Sequence, residues 1–80
     1  MRVRVLFFAS YAEAFGRPEQ AVDLPSGATV ADCVTELRRD PAAAKLPPSP
    51  LVAVNQRYAK LDAPLAEGDE VALIPPVAGG

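Results

Sequence analysis

The sequence predicts an α+β fold in which one mixed β-sheet carries one main helix on one of its faces. Three observations lead to this prediction. The 80 residues suffice for a single small domain. Several short segments show the apolar alternation of strands, whereas only one shows sustained helical periodicity. The nine prolines and five glycines indicate frequent turns between short elements.

Two strands are predicted in the first third of the chain. Residues 1–8 form the first strand, with Val3, Val5 and Phe7 on one of its faces. Residues 19–24 form the second strand. Because the connection between them is short, the two strands are predicted to be antiparallel neighbours.

A short helix is predicted between these strands, at about residues 11–15. Residues 10–13, Ser-Tyr-Ala-Glu, have the spacing of a capping box, in which the first side chain caps the helix. Gly16 stands where a glycine commonly ends a helix. The segment is therefore expected to span one or two turns.

The main helix begins after Thr29, a favourable N-cap residue that is followed three positions later by Asp32. Arg38 suits the negative C-terminal end of the helix. Pro41 ends it, because the residue before a proline avoids the helical region. The helix is therefore expected to have about ten residues and a length of roughly 15 Å. Its apolar stripe, at i, i+3, i+4 and i+7, consists of Val30, Cys33, Val34 and Leu37.

The second half of the chain contains the remaining strands. Residues 40–50 look least regular, because their prolines forbid strand pairing. Residues 51–55 form the third strand and end in a turn at Asn55-Gln56. Residues 57–60 form a short edge strand, and residues 70–75 form the last strand. The first and last strands are predicted to lie side by side and parallel in the middle of the sheet.

This order of elements is that of the β-grasp, or ubiquitin-like, roll. Residues 1–75 are expected to form the β-grasp domain, and residues 76–80 a flexible C-terminal Gly-Gly tail. One helix covers only one face of one sheet. The other face is therefore left to solvent or to a partner.

The composition excludes several classes of function. The net charge is −2 and the basic residues are scattered, which argues against nucleic-acid binding. Without histidine and with one cysteine, the chain offers no ligand set for zinc or an iron–sulfur cluster, so no metal and no bound cofactor are expected. The apolar run at residues 5–9 is too short for a signal peptide or a membrane span. The lone cysteine fits a reducing compartment, and a cytoplasmic protein is expected.

Catalysis by side chains has little support in this sequence. Histidine, the commonest general base, is absent, and the serines have no visible base partner. Cys33 lies on the apolar stripe of the main helix and is interpreted as a small buried hydrophobic residue. Glu67, Asp69 and Glu70 cluster at a turn and are interpreted as part of a solvated loop. By itself, the chain lacks the parts of an enzyme.

The C-terminal residues 76–80 suggest a different kind of chemistry. Pro75 and Pro76 prevent the last strand from continuing. The small residues that follow allow the tail to enter a narrow channel. Adenylation by a partner would make the α-carboxylate of Gly80 an acyl donor, and sulfur could then replace one oxygen to give a thiocarboxylate. The alternative is a frayed terminus that happens to end in two glycines. The tail residues that would enter the channel are Pro76, Val77, Ala78 and Gly79.

An apolar patch is predicted on the uncovered face of the sheet. Strand parity places Leu6 and Phe8 opposite the core side of the first strand, and Ile74 joins them from the last strand. An exposed patch of this kind usually marks an interface. The alternative is that the short helix folds over the patch through Tyr11 and Phe15.

Four segments of the chain carry a family resemblance. They are residues 3–9, 24–32, 52–55 and, most strongly, 65–80, where Gly-Asp-Glu-Val is followed by Pro-Pro-Val-Ala-Gly-Gly. Together they resemble the MoaD family, the small subunits of molybdopterin synthase. The family often has Ser or Thr at the position of Ala78, and alanine keeps the tail equally slim.

The resemblance implies a ubiquitin-like sulfur carrier of molybdenum cofactor biosynthesis. An adenylating enzyme of the ubiquitin-activating type would use ATP to activate the Gly80 carboxylate, and a sulfurtransferase would supply the sulfur of the thiocarboxylate. The tail would enter the large subunit of molybdopterin synthase, and sulfur would pass to cyclic pyranopterin monophosphate. Leu6, Phe8 and Ile74 would bind the partners, and the large subunit would supply the catalytic side chains of a heterotetramer.

Three other interpretations stay open at this point. The first is a sulfur carrier of the thiamine pathway, which shares the tail chemistry. The second is a ubiquitin-like protein modifier, whose activated Gly80 would be joined to a lysine. The third is a β-grasp interaction module with an inert tail.

Overall fold

Five strands form one mixed sheet in the computed structural model, which describes residues 1–76. In chain order they are β1 (Arg2–Phe7), β2 (Glu19–Asp23), β3 (Leu51–Val54), β4 (Arg57–Ala59) and β5 (Glu70–Ile74). The order across the sheet is β2-β1-β5-β3-β4. The first and last strands pair in parallel at the centre, as predicted, and the other neighbours are antiparallel. The α+β class and the β-grasp arrangement are therefore confirmed.

The main helix, α2 (Val30–Leu37), begins as the sequence predicts. The Asp32 N–H donates to Oγ1 of Thr29 at 3.3 Å, and the Thr29 N–H donates to Oδ2 of Asp32 at 2.8 Å. These reciprocal bonds form a capping box. The helix ends at Leu37 after eight residues, so it is slightly shorter than predicted, and all four residues of its apolar stripe are buried.

The short helix, α1 (Ala9–Phe15), differs from the prediction at its beginning. Phe8 is the N-cap residue and no side chain caps the helix, so the capping box expected at residues 10–13 is wrong. The chain turns directly from β1 into the helix, and the Phe8 carbonyl accepts a hydrogen bond from the Tyr11 N–H at 2.9 Å. Gly16 ends the helix in the left-handed conformation (φ 73°), as predicted.

Helix α1 packs on the same face of the sheet as α2. Its residues Tyr11 and Phe15 are buried in the core, and the rings of Phe7 and Phe15 stack with their centroids 4.1 Å apart. The alternative in which this helix covers the opposite face is therefore wrong, because its large apolar side chains already lie in the core.

The segment at residues 40–50 is more regular than predicted. A short 3-10 helix covers Pro41–Lys45, and the Asp40 carboxylate caps it by accepting from the Ala42 N–H at 2.9 Å. Proline excludes strand pairing but is favourable in the first turn of a helix, where its missing N–H costs nothing. The Arg38 guanidinium donates to the carbonyls of Leu46 and Pro47 and so fastens the end of this segment to α2.

The core lies between the sheet and the helices. Val3, Val5 and Phe7 enter it from β1, and Val71 and Leu73 enter it from β5. No polar or charged residue is buried in the described part of the chain. No helix within residues 1–76 is long and apolar enough to cross a membrane. Because side chains alternate along a strand, the intervening residues of the same strands lie on the helix-free face of the sheet.

Replacing Thr29 with alanine should lower the free energy of unfolding by about 1 kcal/mol, because the capping box loses its side-chain acceptor. For a domain of this size the melting temperature should fall by about 4–8 °C, measured by circular dichroism. Ser10→Ala is the matched control, since Ser10 makes no capping bond in α1 and its loss should change the melting temperature little. Equal losses in both variants would contradict this assignment of the caps.

Candidate functional site

The helix-free face of the sheet exposes apolar side chains on its two central strands. Leu6 and Phe8 reach this face at the end of β1, and Ile74 reaches it at the end of β5. Phe8 is 47% exposed, and Leu6 and Ile74 are half-buried. The structure therefore brings together the three residues that the sequence placed in an uncovered patch.

Two further exposed apolar residues extend this patch, and sequence analysis missed both. Leu51 is 49% exposed and pairs with Ile74, while Tyr58 is 74% exposed and pairs with Ala53. Within residues 1–76, the exposed large hydrophobic residues are Phe8, Leu51 and Tyr58, and all of them lie on this face. The parity of each strand was readable in the sequence, but the shared face follows only from the pairing of β3 with β4 and β5.

These side chains, apart from that of Leu51, border a groove with a volume of about 460 Å³, here called the open-face groove. Its ends differ in polarity. Phe8 and Ile74 form the apolar end, at the C-terminal ends of β1 and β5, whereas Gln56 and Glu70 form the polar end. A groove of this shape can receive apolar side chains of a partner and one or two polar contacts. Its lining residues are Leu6, Phe8, Ala53, Gln56, Tyr58, Glu70, Ala72 and Ile74.

Beyond the polar end of the groove, the helix-free face is charged. Arg4 lies 3.0 Å from Glu70 and 3.6 Å from Glu19, and Arg2 lies 2.8 Å from Asp23. The hydrogen bond from Arg2, followed by its charge, lowers the pKa of the Asp23 carboxyl. Exposed ion pairs of this kind contribute little to stability. The apolar part of this face is therefore limited to the side toward the C-terminal ends of β1 and β5.

The root of the C-terminal tail lies at the apolar end of the open-face groove. Strand β5 ends at Ile74, Pro75 is half-buried and Pro76 is exposed. Pro76 also lines a second groove, on the side of α1 and the 3-10 helix, together with Tyr11 and Lys45. Pro76 therefore lies between two surface grooves. The other tail residues named above, Val77, Ala78, Gly79 and Gly80, lie outside the described residues.

The candidate catalytic side chains are placed where they serve the fold. Cys33 is fully buried, and burial, followed by the charge of Glu36, raises the pKa of its thiol to about 11. The carboxylates at the turn before β5 brace that turn: Glu67 accepts from the Arg2 N–H at 2.9 Å, and Asp69 accepts from the Ala66 N–H at 2.8 Å. In the part of the chain that the structure describes, no three metal-ligating side chains cluster.

A β-grasp sheet with one open apolar face and a slim tail after its central strand points to a carrier family. The profile of the ThiS family matches residues 5–80. The chain belongs to the ThiS family. The match covers the second half of β1, all of β5, the residues that line the open-face groove and the tail.

Relatives within this family agree with the resemblance found in the sequence. The molybdopterin synthase sulfur carrier subunit of Escherichia coli (strain K12) is 39% identical over 80 residues, which is 98% of this chain and 99% of that protein. The crystal structure of SAMP1 from Haloferax volcanii superposes with a TM-score of 0.86 at 32% identity, with 100% of each chain covered. The predicted membership in the family of molybdopterin synthase sulfur carrier subunits is confirmed.

A second similar structure shows a complex. It is the protein–protein complex of subunits 1 and 2 of the molybdopterin-converting factor from Helicobacter pylori 26695, with a TM-score of 0.76, 23% identity and 100% of each chain covered. This likeness is one of fold. A β-grasp chain of the same architecture thus occurs there within a two-subunit assembly.

Cys33 should react with iodoacetamide at neutral pH at least roughly a hundredfold more slowly in the folded protein than in the chain unfolded by urea, because burial limits access and suppresses the thiolate. Mass spectrometry of timed samples measures both rates. The protonated thiol stabilises the fold fully below pH 9.0, the ordinary pKa of the group, and this contribution is lost as the pH rises toward about 11. Equal rates in the folded and unfolded chains would contradict the structural role of Cys33.

Proposed function

We propose that this protein is a sulfur carrier for the formation of molybdopterin, with the C-terminal carboxylate of Gly80 as its reactive group. The carboxylate is adenylated, converted to a thiocarboxylate, and donates sulfur to cyclic pyranopterin monophosphate in the large subunit of molybdopterin synthase. The observation that carries the proposal is the position of the tail root. Pro76 follows the central strand β5 at the apolar end of the open-face groove, in a chain whose family match extends to residue 80.

Adenylation is needed because a carboxylate resists nucleophiles. ATP and the Gly80 carboxylate give an acyl adenylate and pyrophosphate, and sulfur at the oxidation level of sulfide then displaces AMP to leave a thiocarboxylate. This anionic sulfur forms a C–S bond at a carbon of the pterin precursor while the C–O bond at that carbon breaks and the oxygen leaves with the electron pair. Water then hydrolyses the resulting thioester, which leaves a thiol on the pterin and restores the Gly80 carboxylate. The chain itself binds no cofactor in this scheme, since ATP is used by the adenylating enzyme and a sulfurtransferase supplies the sulfur.

The division of the chain suits this chemistry. Residues 1–75 serve as the β-grasp domain, and residues 76–80 serve as the tail that enters the active sites of the partners. The tail can reach about 17 Å at ~3.3 Å per residue. Val77 and Ala78 are slim, and Gly79 adds no side chain, so a narrow channel can admit them. The catalytic side chains belong to the large subunit, which agrees with the structural roles of Cys33 and of the turn carboxylates in this chain.

The open-face groove is the proposed docking surface for the partners. Leu6, Phe8 and Ile74 surround its end beside the tail, and Leu51 and Tyr58 widen the apolar surface. Burying this surface would hold the carrier while the tail reaches past it into the active site. The complex of subunits 1 and 2 from Helicobacter pylori, in which one chain has the same fold, supports a large-subunit partner, and a heterotetramer is the expected assembly.

A protein modifier is the second candidate, and one observation favours it. SAMP1 from Haloferax volcanii is a small archaeal modifier protein, and its structure superposes with a TM-score of 0.86. Such a role uses the same activated Gly80 but passes the acyl group to a lysine. The thiamine-pathway carrier and the module with an inert tail are further outcomes of the tests below.

Incubation with an adenylating enzyme, ATP and sulfide should raise the intact mass of the protein by the difference between sulfur and oxygen. A variant that lacks Gly80 should stay unmodified or inactive in sulfur transfer, because the reacting carbonyl would be one residue short. Its melting temperature should be nearly unchanged, since the described core runs from Val3 to Leu73. An unchanged mass, under conditions that thiolate the Escherichia coli carrier, would leave the inert module as the better account.

The product separates the remaining candidates. Thiolated protein, the large subunit and cyclic pyranopterin monophosphate should give molybdopterin, detected by the fluorescence of its oxidised form. Sulfur transfer only to the thiazole precursor of thiamine would support the thiamine pathway. Lysine-linked adducts in place of sulfur transfer would support a modifier.

Phe8→Lys should weaken binding of the large subunit by about 2 kcal/mol or more, because it places a charge in the apolar end of the groove. Isothermal titration calorimetry measures the affinity. Ala66→Lys is the matched control, since Ala66 is exposed and does not line the groove. The free protein should keep its melting temperature in both variants. Equal affinities for both would place the docking surface elsewhere.

A further inference from the structure

In the described residues 1–76, the non-glycine residues with left-handed backbone lie at the two ends of the open-face groove. In residues 1–76, the non-glycine residues with positive φ are Ala9 (46°), Asn55 (51°) and Gln56 (71°). Ala9 follows Phe8 at the apolar end of the groove, and Asn55 and Gln56 form the turn that joins β3 to β4 at its polar end. This conformation is unfavourable for any residue with a Cβ atom, and such residues cluster at functional sites.

The side chain of Asn55 explains its own position. Its amide donates to Oδ1 of Asp69 at 2.9 Å, and its Oδ1 accepts from the Glu70 N–H at 3.0 Å. These bonds fasten the turn to the beginning of β5. Asparagine also tolerates the left-handed region better than most residues. The first residue of the turn therefore serves the fold.

Gln56 has no comparable structural explanation. The second position of a two-residue turn with positive φ at both residues strongly favours glycine, yet here a long polar side chain occupies it. Gln56 is exposed, makes no side-chain hydrogen bond within the described part of the chain, and lines the open-face groove. Its carboxamide is thus held at the rim of the groove in a conformation that only glycine adopts without strain.

The position of Gln56 in the groove suggests what its side chain does. Gln56 lies beside Glu70, at the end of the groove opposite Ile74 and the tail root. Glu70 and Ile74, the first and last residues of β5, are about 13 Å apart. Glu70 is already paired with Arg4 at 3.0 Å. Tyr58 carries the other uncharged polar side-chain group in the lining, a hydroxyl. Its aromatic ring already explains why this residue lies on an apolar surface. Gln56 therefore offers a free donor and acceptor at the polar end.

We propose that Gln56 fixes the orientation in which the large subunit docks on the open-face groove, an inference that rests on the docking proposed above. Its carboxamide hydrogen-bonds a main-chain peptide group of the partner, donating through its NH₂ group and accepting through its oxygen. Apolar contacts have no preferred direction, whereas one polar contact far from the tail root selects a single alignment. In that alignment the tail points into the active site.

Gln56→Gly and Gln56→Ala together test this role by calorimetric titration of the full chain with the large subunit. Both remove the carboxamide, so both should weaken binding by about tenfold. Their stabilities should differ, because only glycine relieves the left-handed strain, and Gln56→Gly should melt a few degrees above Gln56→Ala. Gln56→Asn, which keeps a shorter carboxamide, should recover part of the affinity.

Each outcome decides the proposal. Wild-type affinity in both the glycine and alanine variants, with Phe8→Lys still weakened, would overturn the role of Gln56 and leave the proposed docking intact. Wild-type affinity in Phe8→Lys as well would remove the docking surface itself. Weakened binding in Gln56→Ala but not in Gln56→Gly would assign the effect to the turn backbone and would also overturn the role of the carboxamide.

Discussion

Alternation of side chains along two parallel central strands governs the organisation of this protein. Val5 and Val71 pair in register and point into the core, and Leu6 and Ala72, one position later, point away from it. Both α-helices lie on the core side, where the ring of Phe15 stacks on that of Phe7. The other side of the same strands therefore remains open and partly apolar, because a strand cannot turn all its side chains to one face.

This constraint places the proposed docking surface beside the root of the tail. Strand β5 is central, so the chain leaves the sheet from its middle and beside the uncovered apolar end of the groove. Consecutive prolines, Pro75 and Pro76, prevent the strand from continuing. The proposed chemistry uses a main-chain carboxylate and needs no catalytic side chain from this chain. The fold has only to present the tail and to hold the partner next to it.

Local preference and observed conformation agree in most of the fold and disagree along the groove. The capping box at Thr29 and the glycine at the end of α1 follow the rules for helix ends. Ala9 and Gln56 break the rules for left-handed backbone, and both adjoin or line the open-face groove. A conflict of this kind is expected where binding, and not stability, constrains a residue. The left-handed backbone at these two residues supports a functional role for this face, and this support is separate from that given by its apolar side chains.

The features that the sequence determined by itself depend on neighbours along the chain. The capping box joins residues three positions apart, the stripe of α2 spans two turns, and strand parity needs only the positions of apolar residues such as Val3 and Val5. The central parallel pair was inferred correctly from the order of elements. The small side chains of residues 77–80 can also be read directly from the sequence, and the proposed tail chemistry depends on this lack of bulk.

The tertiary structure decided what depends on distant partners. Ser10 has the spacing of a cap, but β1 turns directly into α1, so Phe8 takes the N-cap position. The prolines of residues 40–50 exclude a strand, and only packing against the core selects a 3-10 helix in its place. Leu51 and Tyr58 join the open face through strand register, which no local pattern specifies. Short-range contacts are encoded in the spacing of residues, whereas surfaces assembled from several strands exist only once the sheet has formed.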